Sequence, residues 1–239
     1  MTSHRVEVAV FAIAFTVFGL VGLALVWSGD WAYAALANAN GVKGATFRSY
    51  GPCAFEPPTS CFVEATISLE SLLGWHRAWA AYVTGLSTQA PISFGRSTFT
   101  ADEYAHMADV RGVFRGAEVG AVLALFVAAY RVARARRRGA ALLLVRAGAL
   151  IAAAIVAVIG VVAVFAFDPL FLLFHEVFFP QGNFLFDPAT SNLLRLYPEW
   201  YWQGITAGVG VSFIAVTLLA AGAAHIALRR GSNTYTRAA

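Results

Sequence analysis

The segment that decides the fold is FDPLFLLFHEVFFPQGNFLFDPATSNLLRLYPEWYW, residues 167–202, which joins two long apolar runs. Its many aromatic residues suit the membrane–water interface, where amphipathic rings contact both headgroups and hydrocarbon. Two Asp-Pro pairs, at 168–169 and 187–188, each predict a helix start, because Asp caps a helix and Pro loses no hydrogen bond at the first helical position. The segment is therefore expected to fold into short, capped pieces, the first of which carries His175.

The composition is that of a membrane protein. The 239 residues are 59% hydrophobic and 13% charged, whereas about a quarter of a soluble domain is charged. A helix of about 20 apolar residues crosses ~30 Å of hydrocarbon, and four runs in the sequence are long enough to do so. These runs are 6–26, 114–132, 140–165 and 203–228.

The positions of the arginines predict the topology. Five of them, from Arg131 to Arg138, crowd the end of the second run and the connection to the third, and three more follow the last run. Because cytoplasmic loops are enriched in Lys and Arg, both termini are expected to be cytoplasmic and the long segments 27–113 and 167–202 to face outward. The net charge of +4 then reflects this bias rather than a binding surface, so no nucleic-acid partner is expected.

The predicted fold class is membrane all-α, a four-transmembrane-helix bundle. A small extracytoplasmic β-containing insertion lies between the first two spans, and a short-helix cap lies between the last two. The four membrane helices are predicted at 1–26, which is retained as a signal anchor, 100–133, which is an extended second helix, 140–166 and 203–228. The predicted outer segments are the extracytoplasmic insertion, 27–99, and an extracytoplasmic catalytic loop, 167–202. The predicted cytoplasmic segments are a basic loop, 134–139, and a tail, 229–239.

The insertion has a turn-rich beginning followed by two strand-like stretches, 46–50 and 61–67. Gly-Pro and Pro-Pro dipeptides separate these stretches, which predicts a small β-element such as a hairpin. The only two cysteines, Cys53 and Cys61, fall in the same outer segment. Oxidising surroundings make a disulfide between them the expected state.

An amphipathic helix is predicted next. Ser68 is expected to cap it, and it should end near Thr84, before Gly85. Its apolar residues recur at helical spacing, so the helix is expected to lie on the membrane or on the β-element. His76 falls within the apolar stripe and is interpreted as a structural, hydrogen-bonded histidine.

A long helix is predicted to begin at residues 100–103, where Thr-Ala-Asp-Glu matches a capping box. No helix breaker follows before Arg134, so the helix should continue into the second span. Asp102, His106 and Asp109 are spaced i, i+4 and i+7, which places them on one face.

His106 and His175 are the candidate proton carriers. They lie on separate outer segments at similar depth, and the ordinary pKa of histidine, ~6.5, suits proton transfer near neutrality. Interfacial histidines without a catalytic task remain an open alternative. A metal site made by Asp102, His106, Asp109 and His175 has suitable ligand types, although this spacing is not a specific signature.

The pairing of FTADEYAHMADVRGVF, residues 99–114, with the segment 167–202 resembles the lipoprotein intramolecular transacylase (Lit) family of bacterial membrane proteins. The likeness extends to the layout of four spans, an outer insertion after the first span and two histidine-bearing motifs. It implies an enzyme of the bacterial cytoplasmic membrane, with its active site on the outer face. This enzyme would move an ester-linked acyl chain of a diacylglyceryl-cysteine to the α-amine of the same cysteine, giving the lyso form of the lipoprotein.

The resemblance also implies roles for the two histidines. His175 is assigned as the base for the amine, and His106, braced by Asp109, is assigned to the ester oxygen or the leaving hydroxyl. The reverse division between the histidines is equally open. Either division requires the two imidazoles to converge within about 10 Å, on one groove continuous with the outer leaflet.

Three other residues complete the expected site. Arg111 and Asn183 are candidate donors to the oxyanion or to a lipid phosphate, and Asp187 is expected to cap a helix rather than to react. The implied partners are a diacylated lipoprotein and membrane phospholipid, and no cofactor is implied. The competing functions are a non-catalytic lipid- or protein-binding membrane protein and a metal-dependent membrane hydrolase.

Overall fold

The computed structural model describes residues 2–52, 60–93 and 96–237, and helices dominate this part of the chain. Four of them are long and apolar enough to cross a membrane, which confirms the four predicted spans. They are α1 (Thr2–Trp27), α4 (Ala101–Arg136), α5 (Ala141–Phe165) and α8 (Glu199–Arg237). Between α1 and α4 lie α2 (Asp30–Ala39), β1 (Gly44–Pro52), β2 (Ser60–Ser68) and α3 (Leu69–Val83), and between α5 and α8 lie α6 (Phe167–Phe178) and α7 (Asn192–Leu196).

The chain forms two compact units, and the first consists of membrane helices: Met1–Ala24, Ala117–Phe167 and Ala207–Ala239. Its core joins α1, α4 and α5 around Phe11 and Leu144. Gly148 of α5 is required there, because any side chain at that position would collide with the Phe11 ring. Large apolar side chains such as Phe126 and Leu219 are exposed, as expected for helices that face lipid.

The second unit comprises Leu25–Gly116 and Asp168–Thr206. Its buried core is built from aromatic residues of several elements, among them Tyr33 of α2, Trp79 of α3 and Phe99. Tyr33 and Trp79 are fully buried, and the Tyr33 hydroxyl donates a 2.8 Å hydrogen bond to the carbonyl of Leu196 in α7. This contact ties the first part of the unit to the segment that follows α6.

The predicted β-element is confirmed as a two-stranded antiparallel sheet in which Thr46 pairs with Thr66. The Ser68 hydroxyl accepts a 3.3 Å hydrogen bond from the Ser71 amide and caps α3 as predicted. The helix packs on both strands rather than lying alone on a membrane surface. Cys61 is disulfide-bonded, and Cys53 lies outside the described residues.

The interpretation of His76 as structural is confirmed. Its side chain is buried and stacks on the Tyr33 ring at 4.7 Å between ring centroids. Its Nδ1 lies 3.3 Å from the Tyr197 hydroxyl. Burial lowers the pKa of the His76 imidazole below its ordinary 6.5.

The turn-rich interpretation of the segment after Trp31 was wrong, because residues 30–39 form the helix α2. Gly41, with φ at +68°, ends this helix: its amide donates to the Asn38 carbonyl, and the Val42 amide donates to the Ala37 carbonyl. This pair of bonds is a Schellman motif, in which a left-handed glycine satisfies the last carbonyls of the helix. The alanines of DWAYAALANA have high helix propensity and were the signal available in the sequence.

The second Asp-Pro pair was also interpreted incorrectly as a helix start. Residues 188–190 form a single turn, in which the Asp187 carboxylate accepts a 2.9 Å hydrogen bond from the Ala189 amide. The next helix, α7, begins at Asn192, and the Ser191 hydroxyl caps it by accepting from the Leu194 amide at 3.2 Å. The first Asp-Pro pair does lie in the first turn of a helix, α6.

Candidate active site

Two histidines from distant parts of the sequence meet in the second unit. His106 lies in the second turn of α4, and His175 lies in the last turn of α6. Their ring centroids are 6.1 Å apart, and their planes are inclined by only 19°. The predicted convergence of the two imidazoles within about 10 Å is therefore confirmed.

The beginning of α4 holds His106 in place. The predicted capping box is present, since the Glu103 amide donates to the Thr100 hydroxyl at 3.2 Å and the Thr100 amide donates to the Glu103 carboxylate at 2.8 Å. The second oxygen of the same buried carboxylate accepts from the Ser191 hydroxyl at 2.6 Å and from the Leu193 amide at 2.8 Å. Glu103 thus fastens the start of α7 to the turn that precedes His106, a role that the sequence analysis missed.

Asn192 adds a second link to the same region. Its amide nitrogen donates to the carbonyls of Arg48 and Thr98, and its amide oxygen accepts from the Arg48 backbone nitrogen at 2.9 Å. The side chain therefore pairs with β1 in the way that a neighbouring strand would. The hydrogen bonds of Glu103 and Asn192 therefore hold the segment after α6 in place, and they pair polar groups that are buried.

The orientation of His175 is set by its own helix. Its Nδ1 lies 2.7 Å from the Phe171 carbonyl, one turn earlier in α6. Because a carbonyl can only accept, Nδ1 carries the hydrogen of this bond. In the neutral ring, Nε2 then holds the free lone pair and is the atom able to accept a proton.

Phenylalanine rings surround both imidazoles. His106 is only 6% exposed, and the buried Phe179 contacts both histidines, at 4.8 Å from His106 and 5.5 Å from His175 between ring centroids. The remaining neighbours are Phe186 against His106, and Phe171, Phe174 and Phe184 against His175. Such a lining excludes water and strengthens electrostatic interactions at the site.

A carboxylate and two amides, which we call the amide clamp, join α4 to the turn after α6. Asp109 accepts from the side-chain amide of Asn183 at 2.6 Å and from that of Gln181 at 2.8 Å through the same oxygen. Gln181 also donates to the Asn183 oxygen at 3.3 Å. Gly182, with φ at +76°, makes the tight turn that brings the two amides together.

The amide clamp changes the expected role of Asp109. The carboxylate bonds the two amides, and no hydrogen bond joins it to His106 in the described residues, so the direct bracing expected from the sequence is not formed. Nδ1 of His106 is buried and has no hydrogen-bond partner among those residues. Gln181 was missed by the sequence analysis, although a polar Gln-Gly-Asn turn within an aromatic stretch is an unusual feature that could have indicated it.

The hydrogen bonds found for Arg111 and Asp187 in the described part of the chain go to groups other than the two histidines. Arg111 follows His106 by five residues, a rotation of about 140° around α4. Its guanidinium donates to the Ser87 carbonyl at 2.7 Å and lies 4.5 Å above the Tyr82 ring. The structure thus gives Arg111 one partner in α3, Tyr82, and one on the loop after it, Ser87. Asp187 caps the turn described above.

The alternative of a metal site is not supported by a cluster of ligating side chains in the described residues. Within residues 2–52, 60–93 and 96–237, no three side chains among His, Cys, Asp and Glu are grouped so as to hold a metal ion. Asp109 is directed to the amide clamp, and Asp102 is exposed in the first turn of α4. The ligand set proposed from the sequence therefore does not assemble.

Comparisons with known proteins point to one family. The family model described as "Lipoprotein intramolecular transacylase Lit" matches residues 63–202, which include the elements that carry both histidines. The chain resembles the in meso structure of the membrane-integral lipoprotein intramolecular transacylase Lit from Bacillus cereus, with a TM-score of 0.65, 13% identity, and coverage of 100% of this chain and 99% of that one. A structure of the same Bacillus cereus protein with a histidine-to-arginine mutation gives a TM-score of 0.64 at 12% identity, covering 98% and 95% of the two chains. No curated protein matches the chain.

Proposed function

The chain belongs to the lipoprotein intramolecular transacylase family, whose members are acyltransferases, and from this premise we propose that His106 and His175 carry out acyl transfer on membrane lipoproteins. The substrate is a lipoprotein whose N-terminal cysteine carries a diacylglyceryl group and a free α-amine. One ester-linked acyl chain moves to that amine. The observation that carries the proposal is the 6.1 Å approach of the two imidazoles within an aromatic enclosure.

The amine must be neutral to attack, and its ordinary pKa of ~7.7–8.0 leaves much of it protonated near neutrality. His175 acts as the base, because the bond from its Nδ1 to the Phe171 carbonyl leaves Nε2 free to accept a proton. As the amine nitrogen forms its bond to the ester carbonyl carbon, one N–H proton passes to Nε2. The result is a tetrahedral intermediate and a protonated His175.

The intermediate then expels the glycerol oxygen. The bond from carbon to the glycerol oxygen breaks, the carbonyl re-forms as an amide, and the leaving oxygen takes a proton from the histidine pair. His106 serves the ester and leaving oxygens, since it lies on the opposite element and within 6.1 Å of His175. No net proton is consumed, so the pair returns to its starting state.

The amide clamp provides the donor side of the site. Asn183 has a second amide hydrogen beyond the one bonded to Asp109, whereas both amide hydrogens of Gln181 are used, one on Asp109 and one on the Asn183 oxygen. A donor held in place before the reaction stabilises a developing oxyanion. Asn183 therefore keeps its expected role as oxyanion donor. Arg111, which is bonded to Ser87 and lies over Tyr82, is assigned to holding the loop after α3.

The membrane environment of α6 suits an acylated substrate. None of its residues is buried, and Leu173, Phe174 and Val177 are exposed. An exposed apolar face on a short helix fits the interface between headgroups and acyl chains. With both termini cytoplasmic, α6 lies at the outer surface of the cytoplasmic membrane, where phospholipid surrounds it and a lipidated N-terminus arrives.

Expression in a host whose lipoproteins are only diacylated tests the proposal. The reaction rearranges one molecule without changing its mass, so the acyl position must be read from fragment ions of the N-terminal lipopeptide. Mild alkali gives a second readout, because it removes ester-linked chains and leaves an amide-linked chain in place. The unmodified chain should yield the N-acyl, lyso form.

Histidine variants complete the experiment. His175→Gln and His106→Gln should each slow formation of the N-acyl product by about 10²–10⁴-fold, the usual contribution of a positioned acid or base. His4→Gln, which changes an exposed histidine at the start of α1, should leave the rate unchanged. An unchanged rate in either site variant would remove that histidine from the mechanism. Absence of N-acyl product from the unmodified, membrane-inserted chain would favour the alternative of a non-catalytic lipid-binding protein.

A further inference from the structure

A groove in the first unit ends at an arginine. It has a volume of about 500 Å³, and α1, α4, α5 and α8 line it. On α4 its wall is formed by Leu125, Ala129, Val132 and Arg136, whose spacing of i, i+4, i+7 and i+11 follows one face of the helix. Among the described residues that line the groove, Arg136 alone is charged, and it is the last residue of α4.

The length of the groove matches one leaflet of a bilayer. From Leu125 to Arg136, the helix rises about 16 Å at 1.5 Å per residue. Half of the hydrocarbon thickness is about 15 Å. Phe11 and Phe15 of α1 form the facing wall, so an extended acyl chain in the groove would contact aromatic and aliphatic surface along its length.

Of the arginines near the end of α4, Arg134 and Arg138 form ion pairs with a carboxylate, whereas none is found for Arg136 in the described residues. Glu7 of α1 lies 3.3 Å from Arg134 and 3.2 Å from Arg138, and it pairs with both through one oxygen. Arg136 takes part in none of the ion pairs found in the described part of the chain. Its guanidinium is exposed, and a planar guanidinium can donate two parallel hydrogen bonds to a phosphate.

We propose that this groove binds an anionic phospholipid of the leaflet at which α4 ends, with one acyl chain along α4 and the phosphate on Arg136. A net negative headgroup fits this position because Arg134, Arg137 and Arg138 lie within two residues of Arg136 in the sequence. In the described part of the chain one carboxylate, Glu7, pairs with this cluster. A zwitterionic headgroup fits less well, because its own positively charged group would be repelled by the same arginines. The proposal concerns the membrane helices alone and does not depend on acyl transfer.

Lipid titration of the purified full chain tests the proposal. The protein is stripped of lipid in a neutral detergent, and binding of dioleoyl phosphatidylglycerol and dioleoyl phosphatidylcholine is measured by native mass spectrometry. These two probes carry the same acyl chains and differ in net charge. We expect phosphatidylglycerol to bind about fivefold more tightly, the equivalent of about 1 kcal/mol for one juxtamembrane arginine.

Two matched variants separate the groove from the general charge of the loop. Arg136→Gln should abolish the fivefold preference, whereas Arg137→Gln, which removes an identical charge from the next residue, should retain it. Ala133→Phe fills the groove beside Arg136 and should weaken binding of both lipids. Equal binding of the two lipids by the unmodified chain, equal loss in the two arginine variants, or unchanged binding by Ala133→Phe would each overturn the proposal.

Discussion

Asp109 and Asn183 are 74 residues apart in the sequence, and a 2.6 Å hydrogen bond joins their side chains. The bond connects α4, which carries His106, to the turn that follows His175. Asp109 also accepts from Gln181, so one carboxylate fixes the two amides that border the proposed site.

Asp109→Asn should impair acyl transfer more than it impairs folding. The asparagine side chain would present either an NH₂ group or an uncharged oxygen to the amides of Gln181 and Asn183. The charge-assisted hydrogen bonds to Asp109 would then be lost, and such bonds are worth about 1.5–3 kcal/mol each. We expect the rate of N-acyl product formation to fall at least about tenfold, the loss expected from displacing one preorganised donor. Asp102→Asn, which alters an exposed carboxylate on the same helix, is the control and should retain the rate. Equal rates in the two variants would remove the amide clamp from the mechanism.

The two histidines should behave as one catalytic unit. If both act on the same proton transfers, replacing the second histidine after the first costs little more, as is typical of groups that act together. The double variant His106→Gln/His175→Gln is therefore expected to be no slower than the slower single variant, measured as initial rates in the same membranes. A multiplicative loss would indicate that the two imidazoles act in independent steps.

Glu103→Gln should destabilise the second unit. The buried carboxylate accepts from Thr100, Ser191 and Leu193 through its two oxygens, and the variant replaces one of these acceptors with an NH₂ donor. At least one charge-assisted bond is lost, which costs about 1.5–3 kcal/mol, so the unfolding temperature in detergent should fall. Glu70→Gln changes an exposed carboxylate in the first turn of α3 and serves as the control. An unchanged unfolding temperature would mean that this carboxylate does not hold α7 to α4.

The stability of the fold should depend on pH through His76. Burial lowers the pKa of this imidazole below 6.5. The nearby Asp30 and the backbone of Ser28 and Gly29 oppose that effect to a smaller extent, and Arg77 adds to it weakly. The folded state therefore binds a proton less readily than the unfolded chain does. The resulting stability is fully present above pH 6.5 and is lost as the pH falls from there toward the depressed pKa.

Thermal unfolding of the purified protein between pH 7.5 and about 5 measures this effect. His76→Phe keeps a ring against Tyr33 and removes the titrating group, so its unfolding temperature should fall less over this range than that of the unmodified chain. His4→Phe, at an exposed position, should leave the pH dependence unchanged. The same slope in all three proteins would show that His76 does not control the transition.

The sequence by itself determined the membrane fold. The four spans, the hairpin, the Ser68 cap and the long α4 all follow from local signals, namely apolar run length, alternation, capping residues and the absence of breakers. Each depends on residues near one another in the chain, which is why it could be predicted without coordinates. The two histidines were proposed as proton carriers from the sequence as well, because they lie on separate outer segments at similar depth.

Only the tertiary structure decided which side chains meet. Asp109 was expected on His106 because both lie on one face of α4, but the turn at Gly182 brings Gln181 and Asn183 to that carboxylate instead. Arg111 was assigned to the site from its closeness in sequence, yet the rotation of the helix directs it to Tyr82. Helical spacing fixes the direction of a side chain within its own element, and it carries no information about which distant segment will supply the partner.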